Sequence, residues 1–230
     1  MKEIKINLNK ITKPEIDLIA EYFKQGKVIA YPTDTIYGLG CLATDKKAIK
    51  RIYRIKKRNK KNPLLILASS FNMVRKYCFL SRAQEEFLKN KCLDPVSVIL
   101  KSRNLPRTNK SSDEARGLID RRCRWSNATN KQHFFVRGLL PKELTGGKGS
   151  IAVRMPKNNF LIKTIRRVGA PIVSTSLNIS GKKNIIKPDN LENYFETRKP
   201  DLIINAGELK SKPSRLVDIR DINNIKILRK

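Results

Sequence analysis

At the centre of this chain's organisation is the stretch Tyr31-Pro32-Thr33-Asp34-Thr35-Ile36-Tyr37-Gly38-Leu39-Gly40. It is rich in hydroxyl groups and follows the short apolar run 27–30, which is typical of a buried strand. Asp45 can cap a helix soon afterwards, so we expect the stretch to lie between the end of a strand and the start of a helix. Crevices at strand ends are where α/β sheets bind ligands. An ordinary polar loop is an equally good interpretation of this stretch alone.

On both sides of the stretch, the hydrophobic pattern alternates between helices and strands. Helices are predicted over 13–25, 45–58, 71–77, 81–91, 158–168 and 188–196. Strands are predicted over 4–8, 27–31, 64–68, 96–100, 150–155, 171–174, 201–205, 213–218 and 223–229. Helices that alternate with strands indicate an α/β domain with a mixed, twisted sheet.

Length and composition bound the class of protein. The chain has 230 residues, of which 40% are hydrophobic, so it can form one domain, or one large domain with an insertion. We find no apolar run approaching the roughly 18 residues that a membrane span needs, and we expect no membrane partner. The first residues lack the apolar core of a signal peptide, and the four cysteines form no C-x-x-C pair. These features favour a cytoplasmic protein with free thiols.

The net charge of +30 points to an anionic partner. RNA is one candidate, and ATP is another. The charge is spread along the chain, and no stacking-aromatic module or helix-turn-helix pattern is visible, which disfavours sequence-specific nucleic-acid recognition. A non-catalytic RNA-binding protein with a basic face nevertheless stays open as the alternative function.

Three later stretches extend the polar pattern. The first is Lys56-Lys57-Arg58 and the second is a strand, 149–156, that carries Arg154. The third is Ser174-Thr175-Ser176-Leu177-Asn178-Ile179-Ser180-Gly181, a second hydroxyl-rich turn after an apolar run. Together with the opening stretch, and in this order along the chain, the three stretches resemble the YrdC-like family, the L-threonylcarbamoyladenylate synthases. The resemblance covers roughly residues 12–102 and 139–229, and it implies a twisted mixed sheet with flanking helices around a basic concave crevice.

The segment 104–137 interrupts the resemblance. It holds six Arg against two Lys, together with the only Trp, Trp125, and the only His, His133. Hydrophobic periodicity is lost over 111–130. We predict a single domain over 1–230 with a tolerated surface insertion at 104–137. A loop that binds RNA or a partner is the alternative, with contacts from Arg121, Arg122, Arg124 and Trp125.

The residue inventory disfavours several kinds of chemistry. Outside 104–137 there is no His, so a Ser-His-Asp triad or a His metal site is disfavoured, and we predict no metal bound by the protein itself. No Walker-type loop and no G-x-G-x-x-G after a strand occurs. Cations and hydroxyls around a crevice suit a reaction in which the substrates supply the nucleophile.

The resemblance implies such a reaction. L-threonine and bicarbonate give a carbamate, which attacks the α-phosphorus of ATP and releases pyrophosphate. The enzyme would be a nucleotidyltransferase that uses Mg²⁺ with ATP. It would pass the adenylate to threonylcarbamoyl-transfer proteins, which modify adenosine in certain tRNAs. The length matches the short, single-domain form of the family.

The resemblance also implies the site residues, at the positions of this chain that match the family's functional residues. Lys56 and Arg58 would be catalytic and hold the phosphates. ATP would contact Arg58, Asn62, Ser150, Ser176, Asn178, Asn184 and Arg229, and threonine would contact Thr35, Arg154, Ser174 and Ser214. Each residue also has an ordinary structural explanation, such as a cation at a helix end, a turn cap or a salt bridge at a strand end.

The chain departs from the family pattern at two places. Leu67 stands where the family commonly has a His near the threonine site. The stretch Leu93-Asp94-Pro95-Val96-Ser97 stands where Pro-Gly-Pro-x-Thr is frequent. Both changes bear on substrate affinity.

Overall fold

The computed structural model describes residues 1–90, 95–103, 140–189, 191–195 and 198–229. Its helices are α1 Lys13–Lys24, α2 Lys46–Ile55, α3 Phe71–Tyr77, α4 Arg82–Asn90, α5 Lys142–Thr145, α6 Asn159–Val168 and α7 Leu191–Phe195. Its strands are β1 Lys2–Lys5, β2 Ile29–Tyr31, β3 Gly38–Gly40, β4 Leu65–Leu67, β5 Val96–Lys101, β6 Ser150–Arg154, β7 Ile172–Ser176, β8 Leu202–Asn205, β9 Arg215–Asp218 and β10 Lys226–Arg229.

The strands form one mixed sheet in the order β1-β8-β2-β3-β7-β4-β6-β5-β9-β10. Strand β8 is parallel to β1 and β2, while β3 is antiparallel to both β2 and β7. Strand β6 is parallel to β4 and antiparallel to β5. The α/β class and the mixed sheet with flanking helices are therefore confirmed.

Each face of the sheet buries its own apolar cluster. One face packs against α2, α3, α5 and α7 through residues such as Ile52, Val74 and Leu144. The opposite face packs against α1 and α6, where Phe23 and Phe160 meet sheet residues. These two helices cover only part of their face of the sheet, and the crevice described below lies on the rest.

Helix α1 shows how local sequence fixes an element. The Thr12 hydroxyl accepts a hydrogen bond from Glu15 N, and Glu15 Oε2 accepts one from Thr12 N at 2.7 Å. This reciprocal capping box satisfies backbone donors that the first turn would leave unpaired. Ile16, Ile19, Ala20 and Phe23 are buried along one helical face, as their spacing predicts.

Most of the predicted elements form, with shifted ends. The first strand is Lys2–Lys5 rather than 4–8, and the strand predicted at 171–174 extends to Ser176. Among the described residues, no helix is both long and apolar enough to cross a membrane. The predicted insertion 104–137 and residues 93 and 94 of the altered stretch lie outside the described residues.

One expectation about the opening stretch was wrong. The stretch was expected to lead from a strand end into a helix, but Gly38–Gly40 forms β3. Tyr31 pairs with Gly38, so β2 and β3 make a hairpin whose turn is 32–37. A side chain at Gly40 would place its Cβ 2.0 Å from Val173 O. Glycine there lets β3 lie against β7, and a short Gly-Leu-Gly strand has no alternation by which it could be predicted.

Candidate active site

Strand pairing gathers small and polar side chains on one face of the sheet. Leu65 pairs with Ala152 on one side and with Ser174 on the other, and Leu67 pairs with Arg154. Directly paired residues project to the same face. Leu67 lies in the apolar cluster under α1 and α6. Ser174 and Arg154 therefore lie beside that cluster on the same face, where these helices do not cover the sheet.

A cavity of about 340 Å³ occupies this uncovered part of the face. Its volume falls within the roughly 300–1,000 Å³ that is usual for small-molecule sites. Nine of the predicted site residues line it: Thr35, Arg58, Ser150, Arg154, Ser174, Ser176, Asn184, Ser214 and Arg229. We call this cavity the crevice. Three predicted residues are not among those that line it: Lys56, Asn62 and Asn178.

The crevice also has an apolar floor that sequence reasoning missed. Leu65, Ile99, Ala152 and Leu216 line it from four neighbouring strands. They lie on the same face as the polar residues because Ile99 pairs with Ala152, and Leu216 pairs with Ser97 opposite Arg154. The alternation of residues within the predicted strands was a signal that could have found them.

The hairpin turn presents its hydroxyls in a fixed arrangement. Thr33 Oγ1 donates to Ile36 O at 2.7 Å and accepts from Thr35 N at 3.1 Å. Thr35 Oγ1 lies 3.0 Å from Thr33 Oγ1 and accepts from Arg154 Nη1 at 3.0 Å. A Cβ at Gly38 would lie 3.2 Å from Ser174 Oγ, so glycine keeps this wall of the crevice close to the turn. The turn thus orients Arg154 through Thr35.

Arg154 ends β6, and only 6% of it is exposed. Its Nη2 lies 2.6 Å from Asp34 Oδ1 in an ion pair. Among the described residues, Nε, Nη2 and Asp34 Oδ1 nevertheless lack a hydrogen-bond partner of acceptable geometry. The salt bridge at the strand end, which is the ordinary explanation of this residue, is therefore present. These three atoms are buried, so their spare hydrogen-bonding capacity is closed off from the crevice.

Arg229 approaches from β10. Its Nε and Nη2 donate to Ser214 O at 3.0 and 2.7 Å, and Ser214 Oγ lies 2.8 Å from Ser97 Oγ. Arg229 is exposed as a residue, but desolvation of its guanidinium at the crevice lowers its pKa, and the positive charge of Arg154 lowers it further. Two guanidinium groups that repel each other across a crevice favour an anion between them.

The Lys-x-Arg spacing has a local structural cause at the end of α2. Arg58 N donates to Tyr53 O at 3.0 Å, and Lys57 N donates to Arg54 O at 3.2 Å. With Lys57 in the left-handed region at φ 49°, this is a Schellman motif. The motif sends the side chains of Lys56 and Arg58 in different directions.

Arg58 turns towards the crevice. Its Nε donates to Asn62 O at 3.2 Å, and its Nη2 donates to Pro63 O at 3.0 Å. Burial lowers the pKa of this guanidinium. The backbone of 62–63 therefore holds Arg58 in place. Asn62 contributes its carbonyl oxygen to this support.

Lys56 turns inward instead, and only 1% of it is exposed. Its ammonium donates to Ser176 O, Asn178 O and Asn178 Oδ1 at 2.5, 2.7 and 2.8 Å. Ser176 Oγ also donates to Asn178 Oδ1, at 2.7 Å. Lys56 of the Lys-x-Arg signature is thus joined to both residues of the Ser-x-Asn signature in one hydrogen-bond network.

The positive φ of Lys57 makes a prediction about stability. A side chain in the left-handed region costs roughly 1 kcal/mol, which glycine avoids. Replacement of Lys57 by Gly should therefore leave the free energy of unfolding unchanged or raise it by up to about 1 kcal/mol, since glycine also raises the entropy of the unfolded chain. Urea denaturation of Lys57→Gly and Lys57→Ala will check this. A variant with Gly less stable than the variant with Ala would contradict the helix-end geometry.

A family model described as telomere recombination, which covers the Sua5, YciO and YrdC proteins, matches residues 21–119 and 130–230. The chain belongs to the Sua5/YciO/YrdC family. The predicted resemblance is thereby confirmed. The family match omits 120–129, which lie inside the predicted insertion.

Relatives within the Sua5/YciO/YrdC family carry two kinds of name. The threonylcarbamoyl-AMP synthase of Pyrococcus abyssi is 28% identical over 202 residues, which are 87% of this chain and 49% of that protein. The synthase of Buchnera aphidicola subsp. Schizaphis graminum is 28% identical, over 84% of this chain and 85% of its own length. YciO of Escherichia coli, named as uncharacterized, is 27% identical over 90% of this chain and 84% of its own. The chain spans about half the length of the Pyrococcus synthase.

Solved structures of the Sua5/YciO/YrdC family agree with the fold. P. abyssi Sua5 complexed with L-threonine matches with a TM-score of 0.75 at 26% identity, covering 99% of this chain and 56% of that one. E. coli YciO matches with a TM-score of 0.74 at 24% identity, covering 100% of this chain and 94% of that one.

Proposed function

We propose that this protein forms L-threonylcarbamoyladenylate from L-threonine, bicarbonate and MgATP, with release of pyrophosphate. The observation that carries the proposal is that one crevice brings together the residues of both predicted subsites. Thr35, Arg154 and Ser174 line it with Arg58, Ser176 and Asn184. Relatives named threonylcarbamoyl-AMP synthase and the Sua5 complex with L-threonine support the same reading.

The amino-acid end of the crevice is built around Arg154. In the proposed complex, the Arg154 guanidinium turns its buried donors from Asp34 to the threonine carboxylate, since a guanidinium can make two parallel bonds to a carboxylate. Ser174 and Ser214 are small and nearly buried, and they supply hydroxyls for the threonine side chain. The apolar floor can take its methyl group.

The phosphate end is built around Arg58. The threonine amino nitrogen forms a bond to the bicarbonate carbon, and water leaves to give a carbamate. The carbamate oxygen then forms a new bond to the α-phosphorus of ATP, while the bond from that phosphorus to the bridging oxygen breaks and pyrophosphate leaves. Arg58 counters the charge that develops on the phosphoryl oxygens. Its bonds to two backbone carbonyls hold it in place beforehand.

Magnesium enters this proposal with the nucleotide. In the described part of the chain, no three His, Cys, Asp or Glu side chains cluster as metal ligands. Among the described residues that line the crevice, none carries a carboxylate. These residues fit a metal ion that is held by the phosphate oxygens and water, which is common for Mg²⁺. The ion belongs to the substrate, MgATP.

The product would be passed to threonylcarbamoyl-transfer proteins that modify adenosine in tRNA, in the cytoplasm. The alternative, a non-catalytic RNA-binding protein, rests on the net charge of +30. The two functions differ in what the protein does with ATP.

Pyrophosphate release tests the proposal. Purified protein with MgATP should release pyrophosphate only when both L-threonine and bicarbonate are present, and omission of either should stop it. The RNA-binding alternative instead predicts RNA affinity with a steep dependence on salt and no turnover. Binding of this kind without turnover would overturn the proposed function.

The insertion at 104–137 gives a separate prediction. If it is a tolerated surface loop of a single domain, joining Arg103 to Gly138 should leave the melting temperature and pyrophosphate release close to those of the full chain. Soluble yield, thermal melts and turnover of the shortened chain will check this. Loss of turnover with the fold intact would instead assign the segment to the site.

A further inference from the structure

The Lys56 ammonium has no donor left for a ligand. An ammonium has three N–H groups, and Ser176 O, Asn178 O and Asn178 Oδ1 accept from Lys56 Nζ within 2.8 Å. The side chain is nearly inaccessible and does not line the crevice. Contact between Lys56 and a phosphate would require these bonds to break.

The bonds made by Lys56 fold the turn 176–182 around it. At the main chain, Lys56 O accepts from Ser180 N at 2.8 Å. At the far end of the side chain, Asn178 Oδ1 accepts from both the ammonium and Ser176 Oγ. Asn178 Nδ2 donates onward to Lys182 O at 2.5 Å. Lys56 therefore ties the turn to the end of α2 at two points.

Packing alone does not account for a lysine at this position. Its three acceptors are neutral oxygens, so the positive charge is buried beside no carboxylate within this set. Burial lowers the pKa of Lys56 to about 7, and the nearby Arg58 acts in the same direction. A methionine of similar length would fill the space without this electrostatic cost. The lysine supplies donors that an apolar side chain lacks.

We propose that Lys56 is a positioning residue of the adenylation site, which acts by holding the turn 176–182 against the crevice and not by touching ATP. Ser176 is the part of that turn which lines the crevice. This inference rests on the proposed function and revises the predicted catalytic role of Lys56. It leaves Arg58 as the member of the Lys-x-Arg pair that meets the phosphates.

A double-mutant cycle tests whether Lys56 and Asn178 act on ATP binding as one unit. The affinity of a non-hydrolysable ATP analogue is measured by calorimetry for Lys56→Met, Asn178→Ala and the double variant. Each single change should weaken binding about 10-fold, the equivalent of one hydrogen bond to a charged group. If Lys56 acts through the turn, the Kd of the double variant for the analogue should lie within about 3-fold of the Kd of the single variant that binds less tightly. A loss of affinity in the double variant equal to the product of the two single losses would overturn the proposal.

Lys57→Met is the matched control, because Lys57 is the exposed neighbour and has the same charge. It should keep the affinity for the analogue within about 2-fold, since an exposed charge contributes little. A loss equal to that of Lys56→Met would show that charge alone is responsible and would overturn the positioning role.

A measurement on the unmodified protein covers the case in which Lys56→Met fails to fold. Lysines are labelled with an amine-reactive reagent, with and without the ATP analogue, and the labelled peptides are identified by mass spectrometry. Lys56 should stay unlabelled in both conditions while Lys57 is labelled. Labelling of Lys56 that only the analogue prevents would overturn the proposal in favour of direct contact.

The two proposals can fail separately. Wild-type protein that binds the analogue but releases no pyrophosphate with threonine and bicarbonate would overturn the proposed function. If the wild-type enzyme is active but the binding free energies lost in Lys56→Met and Asn178→Ala add up in the double variant, the role of Lys56 is overturned and the proposed function stands.

Discussion

Replacement of Arg58 by Ala should nearly abolish adenylate formation, lowering kcat by on the order of 100-fold or more, which is typical for loss of one preorganised donor to a developing negative charge. The melting temperature should stay close to that of the wild type, since the residue is only half-buried and its two bonds go to backbone carbonyls of a loop. Initial rates of pyrophosphate release and a thermal melt on one preparation will measure both.

Arg54→Ala is the matched control for Arg58→Ala. Arg54 lies one helical turn earlier on α2, is exposed and does not line the crevice. It should keep full turnover. RNA affinity, measured on both variants, should change little, with the salt slope lowered by about one for a lost phosphate contact. Full turnover in Arg58→Ala would remove Arg58 from the site.

Replacement of Arg154 by Lys should raise the KM for threonine by on the order of 10- to 100-fold, the range expected for a lost hydrogen bond to a charged group. Lysine keeps the charge but cannot reproduce two parallel bonds to a carboxylate. The KM for ATP should change much less. Steady-state kinetics with each substrate varied in turn will separate the two effects.

Arg167→Lys supplies the comparison for Arg154→Lys. Arg167 also pairs with an aspartate, Asp17, at 2.6 Å, but it lies on the surface of α6. Because exposed ion pairs contribute little, neither KM should move. Equal increases of both KM values in Arg154→Lys would remove this residue from the amino-acid subsite.

The course of the chain could be predicted largely because local signals agree with the packing. Asp45 caps α2 as expected, its Oδ1 accepting from Lys47 N and Ala48 N. The apolar spacing of α1 and α6 matches the faces that they bury. Local sequence did not predict β3, because its short Gly-Leu-Gly run is a strand only through its pairing with β2 and β7.

The candidate site, like the course of the chain, could be predicted in large part. The family resemblance implied the site residues, and nine of them line one crevice. Arg58 and Ser176 are the two of the nine that belong to the Lys-x-Arg and Ser-x-Asn signatures. The direction of Lys56 could not be predicted, since it depends on the left-handed turn at Lys57 that follows α2. The left-handed position after a helix is usually glycine, so a lysine there does not indicate such a turn.

Leu67 illustrates a departure with a visible structural consequence. It pairs with Arg154 in the sheet and is buried in the apolar cluster under α1 and α6. A leucine there gives the amino-acid end of the crevice an apolar neighbour with no hydrogen-bonding group. In the proposed complex, threonine recognition therefore depends on Arg154 and the hydroxyls of Thr35, Ser174 and Ser214.

The fate of the bicarbonate carbon is the most direct evidence for or against adenylate formation by this protein. The protein is incubated with MgATP, L-threonine and bicarbonate that carries an isotopic carbon label. The products are separated by chromatography and identified by mass spectrometry. We predict a labelled nucleotide with the mass of threonylcarbamoyladenylate, formed only with threonine present and nearly absent with Arg58→Ala. Pyrophosphate or AMP produced without any labelled nucleotide, or a labelled nucleotide formed equally well by Arg58→Ala, would contradict this account.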